Sequence, residues 1–184
     1  MTIYIALLRG INVGGSNRIK MSELRQALET IGLDRVQTYI QSGNILFESE
    51  KGVETLQNQI KHEIEKTFGF SVEVVMRTAE ELERIIENCP FSEEAISEAE
   101  SLSEGESLYV SMLQDPPLEE GLNKLSAYKT ENEEYRIEGK EVYLLFRQSI
   151  RNSKLANNLK KIGVPSTVRN WKTINKLSTM AKGM

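Results

Sequence analysis

Cysteine and histidine are almost missing from this chain, where Cys89 and His62 each stand alone among 184 residues. A single cysteine forms no intramolecular disulfide, which excludes a small secreted domain stapled by bridges. One Cys and one His are too few for a zinc site, so no metal is expected. They also argue against a Cys-His or Ser-His-Asp nucleophilic centre. His62 lies between Ile60 and Ile64, on the polar face of its helix, and reads as solvated. Aspartate is scarce as well. Asp34 and Asp115 alone make no Asp-rich magnesium motif. Long apolar runs are absent: the opening run from Ile3 to Leu8 stops at Arg9, far short of a membrane span. It also lacks the basic start and small-residue cleavage site of a signal peptide. The expectation is a first strand, a cytoplasmic location and no membrane partner.

What is present is ordinary globular material, 39% apolar and 27% charged. The net charge of −4 is unevenly spread. Residues 78–107 carry ten acids and one base, whereas residues 147–184 carry nine Lys or Arg and no acid. An acid-free segment of that length suits an anionic ligand or an acidic partner. A second account is that it faces the acidic middle of the same chain.

The apolar periodicity gives the element order. Thr2–Leu8 reads as a strand, and Ser22 is placed to cap a helix with Leu24, Ala27, Leu28 and Ile31 inward. Val36, Thr38 and Ile40 alternate as a half-buried strand, and Ser42-Gly43 turns the chain into Ile45–Phe47. A second helix carries Val53, Leu56, Ile60, Ile64 and Phe68, and Val72–Met76 is the fourth strand. Thr78, with Glu81 three residues on, opens a linking helix. Residues 92–107 are rich in Ser and Glu and read as a connector. The pattern then recurs: strand Leu108–Leu113, a short helix through Leu122 and Leu125, a hairpin turned at Glu138-Gly139, a helix capped by Ser153, strand Ser166–Arg169 and a terminal helix after Trp171. The expected fold class is α+β, two ferredoxin-like βαββαβ halves, each with a four-stranded antiparallel sheet of order 4-1-3-2. Their bounds are 1–77 and 108–184, joined by 78–107.

That topology gathers two rims. In the first half the end of strand 1 meets the turn between strands 2 and 3. Arg9, Asn12, Gly14, Gly15 and Lys20 thus sit beside Gln41, Ser42 and Asn44. The connection Gly10–Lys20 is long for a strand-to-helix link, and its glycines let backbone N–H groups converge on an anion. It is neither a Walker loop nor a dinucleotide fingerprint, and a loop that merely turns tightly is the plainer alternative. In the second half the ends of strands 3 and 4 bring Arg147, Arg151, Asn152 and Lys154 near Arg169, Asn170, Trp171 and Lys172. Arginine offers a planar fork for phosphate, and Trp171 a surface for stacking, although a core plug is the commoner role for such a tryptophan.

The strings LLRGINVGG (7–15), IKM (19–21), TYIQSGNILF (38–47), NCPF (88–91), SKL (153–155) and TVRNWKTINKL (167–177) run in order along nearly the whole chain. They resemble the signature blocks of the bacterial family called domain of unknown function 1697. The resemblance implies two ferredoxin-like parts and marks the Arg9 loop, the Gln41–Asn44 turn and Arg169-Asn170-Trp171 as hallmarks. Cys89 stands in a block that in the family usually reads Asn-Pro-Phe, which argues against thiol chemistry there.

The expected function is binding of an anionic ligand, whether RNA, a nucleotide or another phosphorylated metabolite, without a cofactor. An enzyme acting on a phosphorylated small molecule is the second reading. A protein-interaction or homodimeric module is the third.

Overall fold

The computed structural model describes residues 1–184. Strand β1 (Thr2–Leu8) leads through a long loop to helix α1 (Met21–Thr30), followed by strands β2 (Asp34–Tyr39) and β3 (Asn44–Ser49). Helix α2 (Val53–Phe68), strand β4 (Val74–Thr78) and helix α3 (Ala79–Glu87) complete the first half. Helix α4 (Glu93–Leu102) precedes strand β5 (Leu108–Leu113), helix α5 (Glu119–Ser126) and the hairpin of β6 (Glu133–Glu138) and β7 (Glu141–Phe146). A short helix α6 (Lys154–Asn157), strand β8 (Ser166–Asn170) and helix α7 (Trp171–Lys182) close the chain.

The two sheets have the orders β2-β3-β1-β4 and β6-β7-β5-β8, and every pairing is antiparallel. This is the α+β architecture of two ferredoxin-like halves that the alternating periodicities imply. Two compact units result. Unit 1 is Met1–Arg84 with Asn175–Met184, and unit 2 is Ile85–Ile174.

In unit 1 the inward residues of β1, Tyr4, Ala6 and Leu8, pack against Leu24 and Leu28 of α1 and Leu56, Ile60 and Ile64 of α2. Alternate β1 residues point the other way, yet Ile5 and Leu7 are also fully buried, as is Leu46 on β3. Both faces of the central strands are therefore removed from water, and they read as continuous apolar runs. In unit 2, Val142, Leu144 and Phe146 of β7 meet Leu125, Leu155, Leu159 and Ile162. Helix α5 approaches so closely that a Cβ on Gly121 would lie 2.2 Å from the Ile162 carbonyl oxygen. Only glycine fits there.

The internal repeat is longer than two βαββαβ units. Each fourth strand ends in a buried arginine followed by a residue that caps the next helix. Arg77 pairs with Ile5 and Arg169 with Val110, and each donates from Nη1 to the carbonyl before it, Met76 at 2.8 Å and Val168 at 3.0 Å. Thr78 Oγ1 accepts from Glu81 N at 3.1 Å to begin α3, and Asn170 Oδ1 accepts from Thr173 N at 2.8 Å to begin α7. Helices α3 and α7 thus hold equivalent positions, one in each repeat.

Three local expectations are corrected. Residues 93–102 form a helix instead of an irregular connector. Ser92 caps it by accepting from Ala95 N at 3.1 Å, and Ala99 is buried beside Leu108 and Leu145. Helix α1 begins at Met21, so Ser22 lies inside its first turn and Lys20 takes the cap position with no side-chain hydrogen bond. Ile40 falls outside β2, at φ +49° and 48% exposed, because the chain turns before it can reach the sheet. A β-branched residue in that region is strained. The turn glycines behave as the hairpins require, with Gly43 at φ +85° and Gly139 at +58°.

Candidate functional site

The loop from Gly10 to Lys20 is built by left-handed backbone. Gly10, Gly14 and Gly15 have positive φ, and so do Asn12 (+54°) and Asn17 (+50°). Asparagine tolerates this region better than other residues with a Cβ. Ile11 and Ile19, both buried, pin the two ends of the loop to the core. Asn12 then ties the loop together. Its Nδ2 donates to the carbonyls of Ile19 (3.0 Å) and Gln41 (2.8 Å), while Oδ1 accepts from Ile19 N at 2.8 Å. That one amide spans 29 residues of sequence and joins the loop to the β2–β3 turn. The turn is anchored in its own right: Gly43 O accepts from Leu8 N at 2.9 Å. Asn44, fully buried, donates to Tyr39 O at 3.0 Å and Ser42 Oγ at 2.8 Å.

Between this loop and the start of α1 lies a groove of about 540 Å³, with Asn12, Gly15 and Gln41 in its lining. Arg18, Lys20 and Glu23 supply its charges over a floor that includes Ile19. Arg18 and Lys20 are exposed, and neither forms an ion pair. The first-turn N–H groups of α1 have no side-chain cap, so the helix end adds a partial positive charge at the same place. The groove therefore offers two free cations, a helix N-terminus and one carboxylate on a wall held by Asn12.

Of the expected first-rim residues, Asn12, Gly15, Lys20 and Gln41 line this groove. Arg9, just before the loop, and Gly14 on it are exposed without lining the groove, and Ser42 and Asn44 build the turn next to Gln41. Arg18 and Glu23 line the groove as well, outside the expected set: Arg18 stands two residues before Lys20, and Glu23 lies one helical step beyond it.

On the second rim the structure corrects the expectation for Arg169, which does not face solvent. Arg169 is 8% exposed and donates to Thr167 Oγ1 at 2.7 Å. Burial pulls its guanidinium down to about 10. Asn170 is committed as the cap of α7. Trp171 is partly buried and packs against the cluster of Ala99, Leu108 and Leu145, so one side of the ring is occupied by the fold. Arg147 pairs with Glu134 at 3.0 Å and Glu98 at 3.5 Å. Lys182 pairs with Glu83 at 3.5 Å, so part of the basic tail does answer the acidic middle of the chain. Arg151, Asn152, Lys154 and Lys172 remain exposed. Ser153 is buried, where it caps α6 and donates to Glu133.

A model of the DUF1697 family, described as proteins of unknown function, matches residues 1–143. The chain belongs to the DUF1697 family. The match takes in the whole loop, turn and groove of this DUF1697 chain and stops before Arg147. The fold is similar to that of a conserved bacterial protein from Streptococcus pneumoniae, with a TM-score of 0.75, 26% identity and 98% of each chain covered. No curated protein matches the chain. No helix is long and apolar enough to cross a membrane.

Proposed function

We propose that the protein binds a small phosphorylated ligand in the groove of unit 1. The observation that carries this reading is the pair Arg18 and Lys20, exposed on the groove wall with no carboxylate in pairing distance. Cations left unneutralised at a helix N-terminus favour phosphate over a neutral ligand. The loop is ordered by Asn12 before any ligand arrives, which lowers the entropy lost on binding. A groove of about 540 Å³ falls in the range of pockets for metabolite-sized molecules.

Among anionic ligands the geometry favours a small molecule over single-stranded RNA. Sheets of this topology bind RNA by stacking bases on exposed residues of the central strands. Here Ile5, Leu7 and Leu46 on those strands are buried, and the residues of the opposite face form the core with α1 and α2.

Calorimetric titration of the full chain with inorganic phosphate and phosphate monoesters tests the reading. Binding is expected to weaken with salt and to fall about tenfold or more in the Arg18→Ala/Lys20→Ala double variant. Arg151→Ala/Lys154→Ala is expected to bind as wild type. Undiminished binding in the first variant, or no binding of any phosphate up to about 10 mM, overturns the proposal.

A further inference from the structure

The phosphate groove does not end at Glu23. The same carboxylate also lines a second groove of about 360 Å³, formed between α1 and α2 by Gln26, Ala27, Thr30, Glu63 and Thr67. The helical period explains the continuity. Lys20, Glu23, Ala27 and Thr30 follow one another at spacings of three and four and share a face of α1. Glu63 and Thr67 stand four apart on α2, and Thr67 Oγ1 donates to Glu63 Oε1 at 3.1 Å.

The two grooves differ in chemistry. The first carries Arg18 and Lys20. The second has no cation and sets one wholly apolar side chain, Ala27, against an amide, two threonines and two carboxylates. A lining of that kind presents acceptors and donors to a polyhydroxylated body, and it holds no aromatic ring for a base to stack on. Glu23 stands at the junction, exposed and without an ion pair, where it repels a bare anion and accepts from a hydroxyl.

From this juxtaposition we infer that the ligand is a phosphorylated sugar or polyol, its phosphate at Arg18 and Lys20 and its hydroxyls along α1 toward Thr30, with Glu23 as the residue that selects it over inorganic phosphate. The inference rests on the phosphate-site reading above and deepens it.

The test is titration of wild type, Glu23→Gln and Gln26→Ala/Thr30→Val with three probes: inorganic phosphate, glucose 6-phosphate and glucose. All these positions are exposed, and circular dichroism confirms that each variant is folded. Glucose 6-phosphate is expected to bind wild type about tenfold more tightly than inorganic phosphate, by the worth of a hydrogen bond to a charged group. Glu23→Gln should remove most of that preference from both sides, weakening glucose 6-phosphate while strengthening inorganic phosphate. Gln26→Ala/Thr30→Val should weaken glucose 6-phosphate alone. Equal affinity of wild type for the two phosphates, both dependent on Arg18 and Lys20, overturns the sugar assignment and leaves the phosphate site standing. A preference that persists unchanged in both variants overturns it too. Failure of both phosphates to bind removes the phosphate site itself.

Discussion

Replacing Gly43 with alanine tests how the hairpin turn is held against the first strand. Gly43 sits at φ +85°, and an added Cβ would lie 2.7 Å from Leu8 Cβ and 2.9 Å from Ile11 Cδ1. Two costs follow. The left-handed backbone costs an L-residue about 1–2 kcal/mol. The steric cost is separate, because Leu8 Cβ is fixed to the buried strand β1 and cannot swing aside as a flexible side-chain end would. Overpacking of this kind costs about 1–3 kcal/mol. Gly43→Ala is therefore expected to destabilise by about 2–5 kcal/mol. Gly32→Ala, in the same unit, is the control: its φ is +88° and nothing lies within 4 Å of the added Cβ. It should lose only about 1–2 kcal/mol. Urea unfolding of the two variants, compared at equal slope, reads the difference as a further fall in midpoint of about 1 M for Gly43→Ala. Equal midpoints would refute the steric part of the argument. A wild-type midpoint for both would refute the backbone part as well.

Three further outcomes are expected. Gly121→Ala forces a Cβ against the Ile162 carbonyl at 2.2 Å, so α5 must move as a body; thermal melts should show a loss of about 3 kcal/mol. Asn12→Ala leaves Ile19 N without its acceptor and two carbonyls without a donor. Hydrogen exchange should quicken at Ile19 while the core strands stay protected, and phosphate affinity should fall with it; unchanged exchange would show that the amide does not hold the loop. Tyr143 donates its hydroxyl to Ile85 O at 2.7 Å, and burial, with Glu138 and Glu141 nearby, raises its pKa far above the ordinary tyrosine value. The neutral form is the one the fold accepts. Its contribution is complete below about pH 10, where an unfolded tyrosine titrates, and declines as the pH rises beyond it. Tyr143→Phe should be less stable at pH 7 and lose less stability than wild type between neutral and alkaline pH; parallel stability curves would contradict this.

Local pattern made the order of elements legible, because a strand that buries one face must alternate and a helix must repeat at three and four. The glycines of both hairpin turns were legible for a similar reason, since few other residues reach positive φ without strain. What local pattern hid was decided by contacts distant in sequence. Residues 93–102 look solvated by composition and become a helix only because Ala99 finds Leu108 and Leu145 to pack against. Arg169 looks like a surface cation, and only the register of β8 beside β5 takes it out of water. Asn170 resembled a ligand residue until the fold gave it a helix end to serve, whereas Trp171 packs against Ala99, Leu108 and Leu145, in line with the commoner role of such a tryptophan. The groove itself is the clearest case. Arg18, Lys20 and Glu23 are neighbours in the chain, but they line a cavity because Asn12 reaches Gln41 across 29 residues and fixes one wall of it. Periodicity is a property of neighbours, whereas a closed hydrogen bond between distant segments exists only once the sheet has brought them together.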